Sequence, residues 1–159
     1  MADGGTFLAF DLGATSGRAV LAQRGADGVA LRELSRFPNG PVAGADGVYW
    51  DIGALYENML NALAACAAEG VTPQAIGLDT WGVDFALLDG DGRLISPPRC
   101  YRDPRNAGLV AEIAATVGPE RLQVRGGSMF QDHASLCQLL AWRRYQPEAL
   151  ERARRLLFI

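Results

Sequence analysis

Asp11, the run of small residues behind it and Arg18 are the first groups whose types and spacing could do chemistry. They lie in Thr6 to Ala19, TFLAFDLGATSGRA. Asp11 ends an apolar run that reads as a buried strand, leaving a carboxylate where a sheet opens to solvent, suited to a hydrated metal ion. Gly13, Ala14, Thr15, Ser16 and Gly17 are small enough to bring the backbone against a ligand. A tight turn there lines up N–H groups on one anion, with the glycines expected in dihedrals closed to other residues. Arg18 adds a permanent positive charge able to bond a phosphate through two donors. An acid, an amide cradle and an arginine make a nucleotide-phosphate site. A plain β-hairpin whose turn needs glycine fits the same spacing.

A second stretch, Asp79 to Phe85 (DTWGVDF), has the makings of a sugar site. Trp81 offers a flat apolar face, Gly82 lets a ligand approach the backbone, and Asp84 can bond hydroxyls. A bulged strand with a core tryptophan is the alternative. Asp11, Asp79 and Asp84 are all strand-end acids, and parallel neighbours end on one side of a sheet, so Asp11 and Asp79 are expected to face one cleft. A phosphoryl transferase would use one acid on Mg²⁺ and others to orient an acceptor hydroxyl. A nuclease on a ribonuclease-H-like sheet would use them as direct metal ligands. Aspartates that merely cap turns are the third reading.

Composition narrows these options. All 15 basic residues are arginine, so a Walker-type phosphate loop, which needs lysine, is excluded. Gly13 and Gly17 do not make the dinucleotide pattern G-x-G-x-x-G. A net charge of −3 without a basic run argues against nucleic-acid or membrane-surface partners. Cys66, Cys100 and Cys137 form neither a zinc knuckle nor a disulfide framework, which fits reduced thiols in a cytoplasm. His133 is the sole histidine, and its spacing from Cys137 is read as accidental. Met1–Thr6 has no leader character, and no apolar membrane span appears.

The elements that must position these residues follow from periodicity and punctuation. Strands are expected over Thr6–Asp11, Arg18–Arg24 and Val29–Phe37, the last two joined at Ala26-Asp27-Gly28. Pro38–Gly47 reads as a loop, Val48–Trp50 as extended. A helix over Gly53–Glu69 starts at the cap Asp51, carries the stripe Leu55, Met59, Leu63 and Cys66, and stops at Gly70. Ala75–Asp79 is the fourth strand, Val83–Asp89 the next, with a turn at Asp89–Gly92 into a short strand, Arg93–Ser96. Asp103 and Pro104 open a helix to about Val117. Gly118-Pro119 starts a short helical piece, Gly126-Gly127 is a loop, Ala134–Tyr145 is amphipathic, and Pro147–Arg155 is a last helix. Leu156–Ile159 reads as the start of a buried strand, which suggests a piece of a longer protein. The three-strand meander with the fourth strand beside the first gives sheet order 3-2-1-4. A strand–loop–strand hairpin opening with an acid is the arrangement of actin-like ATPases.

FDLGATSGR, the pair Trp50-Asp51, IGLDTWGVDFALLD and YRDPR, in this order from about Phe7 onward, resemble the FGGY carbohydrate kinases. The first motif fits many actin-like sugar kinases; DTWGVDF followed by YRD is more specific. The resemblance implies an α/β fold of actin-like, ribonuclease-H-like type, with residues 1–159 as the N-terminal part of a first kinase domain and a second domain absent from this chain. It implies transfer of the ATP γ-phosphate to the 1-hydroxyl of L-rhamnulose, with Mg²⁺; a fuculose or xylulose kinase is the neighbouring possibility. A nuclease or a silent binding module on the same fold stays open. Ala14, Thr15, Ser16, Gly17 and Arg18 would line the ATP phosphates, and Asp11 would organise Mg²⁺ through water. Gly82 would contact the ketose, with Thr80, Trp81 and Asp84 in the same pocket. The catalytic base and adenine site are expected beyond Ile159, so this chain alone is expected to be inactive.

Overall fold

A computed structural model describes residues 4–126 and 130–159. Met1–Asp3, and with them the start of the N-terminal stretch, lie outside the described residues, as does Gly127 of the expected Gly126-Gly127 loop. In chain order the elements are β1 (Thr6–Leu12), β2 (Ser16–Gly25), β3 (Gly28–Pro38), β4 (Pro41–Gly44), β5 (Gly47–Trp50), α1 (Ile52–Ala68), β6 (Ala75–Thr80) and β7 (Phe85–Leu88). A 3₁₀ turn (Pro104–Asn106), α2 (Leu109–Val117), α3 (Pro119–Gly126), α4 (Ser135–Tyr145), α5 (Pro147–Arg152) and β8 (Arg155–Phe158) follow. They form two compact units, residues 4–40 with 51–81, and residues 41–50 with the described residues from 82 onward.

The first unit holds the expected sheet. Its strand order is β3-β2-β1-β6, with β1 antiparallel to β2 and parallel to β6. The strand expected fourth is β6, because the hairpin β4–β5 precedes it. Period-two alternation puts Leu8, Phe10 and Leu12 of β1 in the core with Ala19, Leu21 and Phe37. Leu55, Ala62 and Cys66 of α1 fill the same core, flanked by Met59 and Leu63. The Asp51 carboxylate caps α1 by accepting the Ala54 N–H at 2.9 Å. Gly70, at φ +70°, ends it in the left-handed region, as expected.

Gly13 and Gly17 correct an expectation: neither takes a positive φ. Gly17 is small for packing. A Cβ there would run into the Phe37 ring and come within 3.1 Å of Leu12 Cδ2, both core groups. Gly13 closes a tight turn by donating its N–H to the Ser16 carbonyl at 2.9 Å, which leaves little room for a side chain.

The second unit carries most of the differences from the sequence reading. Residues 41–44 form β4 in place of a loop and pair with β5, where Val48–Trp50 is extended as expected. The hairpin is held by partners distant in sequence, because Trp50 N–H donates to the Pro98 carbonyl (2.8 Å) and Cys100 N–H to the Val48 carbonyl (2.9 Å). A side chain at Gly47 would overlap the Arg99 guanidinium, so glycine admits that approach. Arg93–Ser96 is reduced to an isolated bridge, Leu88 with Leu94, because the Asp89 carboxylate engages the N–H groups of Asp91 and Arg93. The helix expected from Asp103 to Val117 breaks at Gly108, φ +78°, into the 3₁₀ turn and α2. The last helix stops at Arg152, and residues 155–158 pair as β8 with β7. Leu157 and Phe158 of β8 are exposed.

The Asp132 carboxylate caps the start of α2, accepting the N–H groups of Gly108 and Val110, both at 2.9 Å. The Val110 and then the Gly108 hydrogen bond hold it below the ordinary aspartate range. A depressed folded-state value contributes stability above the unfolded value of about 3.9, lost as pH falls through the folded value. Asp132→Asn is therefore expected to reduce the acid destabilisation of the second unit below about pH 4, read as the unfolding midpoint against pH.

Candidate active site

The phosphate-type loop is built by β1, β2 and one residue the sequence reading missed. Asn39, just after β3, donates its side-chain amide to the Gly13 carbonyl at 2.8 Å and its backbone N–H to the Thr15 carbonyl at 3.1 Å. Two loop acceptors are thus occupied from within the protein. The N–H groups of Ala14 and Thr15 have no hydrogen-bond partner among the described residues. A loop with engaged carbonyls and available amides suits an anion.

Asp11 and Arg18 are cross-strand partners in the β1–β2 register. Arg18 donates from Nε (2.8 Å) and a terminal nitrogen (2.6 Å) to the same oxygen of Asp11, Oδ2. The pair joins the groups expected to serve metal and phosphate separately. Its side chains are 46% and 47% exposed. An ion pair this wet is worth about 0–1 kcal/mol, so reopening it toward an incoming anion costs little. Asp79 lies level with Asp11 in the β1–β6 register, so the two carboxylates sit on adjacent strands facing the same side. No cluster of three or more metal-ligating side chains occurs among the described residues. Two oxygen donors in register suit a hard cation that keeps waters and phosphate oxygens as its other ligands, which is how Mg²⁺ binds.

The DTWGVDF stretch is divided between the units. Thr80 ends β6, and Trp81 packs against the core of the first unit. Gly82, Val83 and Asp84 open the second. Gly82 is exposed, and a Cβ on it would meet nothing within 4 Å, so the fold itself does not require glycine there. Val83 sits at φ +73°, alone among the described non-glycine residues in the left-handed region. A β-branched residue held there stores about 1–3 kcal/mol of strain, which surrounding contacts must offset. Asp84 is fully buried. Its Oδ2 accepts Trp50 Nε1–H at 2.5 Å and its Oδ1 accepts the Gln138 amide at 2.9 Å.

YRDPR provides the framework of the second unit. Arg99, almost wholly buried, donates to Asp103 (3.1 Å) and Asp46 (2.7 Å) and stacks on the Tyr49 ring, 4.4 Å from its centroid. Cys137 is buried, its thiol pushed by burial to about 11, and it points to the Gln131 carbonyl at 3.6 Å. His133 packs edge-on against Tyr101. The thiol and the imidazole thus have separate partners.

Comparison with known proteins agrees with this geometry. Residues 6–159 match the N-terminal domain of the FGGY family of carbohydrate kinases. A rhamnulokinase of Bacteroides thetaiotaomicron is 40% identical over 153 residues, covering 96% of this chain and 32% of the relative. A rhamnulokinase of Yersinia pestis is 39% identical over 155 residues, with the same coverage of 96% and 32%. The crystal structure of gluconate kinase from Lactobacillus acidophilus superposes with a TM-score of 0.79 at 13% identity, over 98% of this chain and 31% of that one. The chain therefore spans about a third of the length of the relatives it matches, and the shared fold is that of actin-like ATPases. It belongs to the FGGY family of carbohydrate kinases, as an N-terminal domain.

Proposed function

We propose that the protein acts in an ATP-dependent sugar kinase that phosphorylates L-rhamnulose on its 1-hydroxyl, using Mg²⁺. The observation that carries this reading is the Gly13–Ser16 loop, whose carbonyls are tied by Asn39 while the Ala14 and Thr15 amides remain available beside Asp11 and Arg18. On this reading the backbone from Ala14 to Gly17 binds the ATP phosphates. Arg18 exchanges its exposed partner Asp11 for a phosphate oxygen. Asp11, with Asp79 beside it, holds the hydrated metal, which when bound neutralises charge on the transferring phosphoryl group. Gly82, Thr80 and Trp81 serve the ketose side, with Asp84, buried and held by Trp50 and Gln138, as support behind Gly82. The general base is assigned to sequence following Ile159.

The choice of L-rhamnulose is supported by the two relatives at 40% and 39% identity. No helix among the described residues is long and apolar enough to cross a membrane. The three cysteines are free and buried, in keeping with a reducing compartment, so we place the enzyme in the cytoplasm. The complete gene product is expected to show a kcat/KM for L-rhamnulose at least about 10-fold above that for L-fuculose or D-xylulose, since one unpaired buried hydroxyl partner costs about 1–3 kcal/mol. Equal values would point to a broader ketose kinase, and no ATP-dependent turnover of any of the three would remove the reading.

A further inference from the structure

We infer that Ser135 and Gln138, in the first turn of α4, are positioning residues that hold the Gly82–Asp84 turn in the shape that receives the ketose; this rests on the sugar-kinase reading. The Val83 carbonyl accepts the Ser135 hydroxyl at 2.7 Å and the Gln138 amide nitrogen at 3.2 Å. The same nitrogen lies 2.9 Å from Asp84 Oδ1 and 3.0 Å from the His133 carbonyl. All three neighbours are acceptors, so the carboxamide must turn its NH₂ toward them. Gln138 is buried and its two amide hydrogens are shared among the three oxygens, so losing this donor is expensive.

The clamp acts on the one strained residue of the motif. Val83 in the left-handed region has a conformation its own side chain opposes, and two donors on its carbonyl keep it there. Trp50 closes the other side by donating to Asp84 Oδ2. Both Asp84 oxygens are engaged inside the unit and the side chain is fully buried. The group left facing outward is Gly82, exposed and with open space where a Cβ would stand. The geometry thus gives Asp84 a supporting part and leaves the contact with sugar to the backbone at Gly82. Structural need alone explains the buried hydrogen bonds; it does not explain a strained valine beside a glycine that the fold does not require.

The test is kinetic and uses the complete gene product. Ser135→Ala removes one donor from Val83 and is expected to raise the KM for ketose about 3–10-fold, the size of one hydrogen bond. The KM for ATP should stay within about 2-fold. Gln138→Glu sets a carboxylate against three acceptors and should raise the ketose KM more than about 10-fold. The double variant Asp84→Asn/Gln138→Glu exchanges donor and acceptor across that pair and should recover part of the loss. Unchanged ketose KM in Ser135→Ala, or equal shifts for ketose and ATP, would overturn the inference even if Gln138→Glu fails to fold. If the unaltered protein turns over no ketose, the kinase reading falls first, before any substitution, and the inference with it.

Discussion

Asp11→Asn in the complete gene product is expected to lower ketose-dependent ATP turnover by at least about 10²-fold while leaving the unfolding midpoint nearly unchanged. The two halves of this expectation come from different features. Stability is spared because the side chain is about half exposed, and its ion pair with Arg18 is the kind worth about 0–1 kcal/mol. Turnover falls because asparagine keeps the shape but loses the charge placed at the end of β1, beside the available amides of Ala14 and Thr15. If Asp11 served only to neutralise Arg18, the change would cost little activity, and Arg18→Gln would mimic it. If it serves the metal, Asp11→Asn should also shift the Mg²⁺ concentration needed for half-maximal rate, whereas Arg18→Gln should mainly raise the KM for ATP. Turnover within about 3-fold of the unaltered protein would contradict the assignment. Divalent-dependent cleavage of DNA or RNA, lost with the same substitution, would replace kinase by nuclease.

The parts of this site that were legible in the sequence are those encoded locally. The apolar alternation of β1, the small residues after Asp11 and the acid ending β6 are short-range patterns, and they gave the sheet order and the Asp11–Asp79 alignment correctly. The residues that shape the site were not legible, because their partners are far along the chain. Asn39 reaches back 26 residues to Gly13, and Gln138 and Ser135 reach 55 and 52 residues to Val83. Nothing in DTWGVDF announces a valine at positive φ, since valine is the residue local sterics would keep out of that region. The motif glycines also have different causes: Gly17 makes room for Phe37, while Gly82 has no packing reason at all. The hairpin β4–β5 is legible only in the extended Val48–Trp50, its β4 arm reading as a loop, for a related reason. Its four-residue strands are weakly patterned, and its position is set by Arg99 and Asp103, some fifty residues on.

That hairpin leads to the largest expected loss of stability, from Asp103→Ala. The Asp103 carboxylate is almost wholly buried and accepts from the Val48 N–H (3.0 Å), the Arg105 N–H (2.9 Å), Arg105 Nε (3.1 Å) and Arg99 (3.1 Å). Removing it leaves Arg99 buried with only Asp46 to balance it, strips Arg105 of its carboxylate and unties β5. Breaking one side of a buried ion pair costs about 3–5 kcal/mol, far above what an exposed pair contributes. Asp91→Ala, which removes the exposed pair with Arg93, serves as the control and should change stability by less than about 0.5 kcal/mol. Burial alone would raise the Asp103 carboxyl, but the Val48 and Arg105 N–H bonds and the charge of Arg105 outweigh it and hold it below the ordinary range. Its contribution is therefore present above the unfolded value near 3.9 and lost as pH falls through the lower folded value. Urea unfolding at pH 7 and again at successively lower pH should show a large gap between Asp103→Ala and the unaltered protein that narrows as the acid limit is approached. A gap under about 1 kcal/mol at pH 7 would mean that Asp46 and Gln146 hold Arg99 without Asp103, and that the hairpin is anchored by its backbone bonds to Pro98 and Cys100 instead.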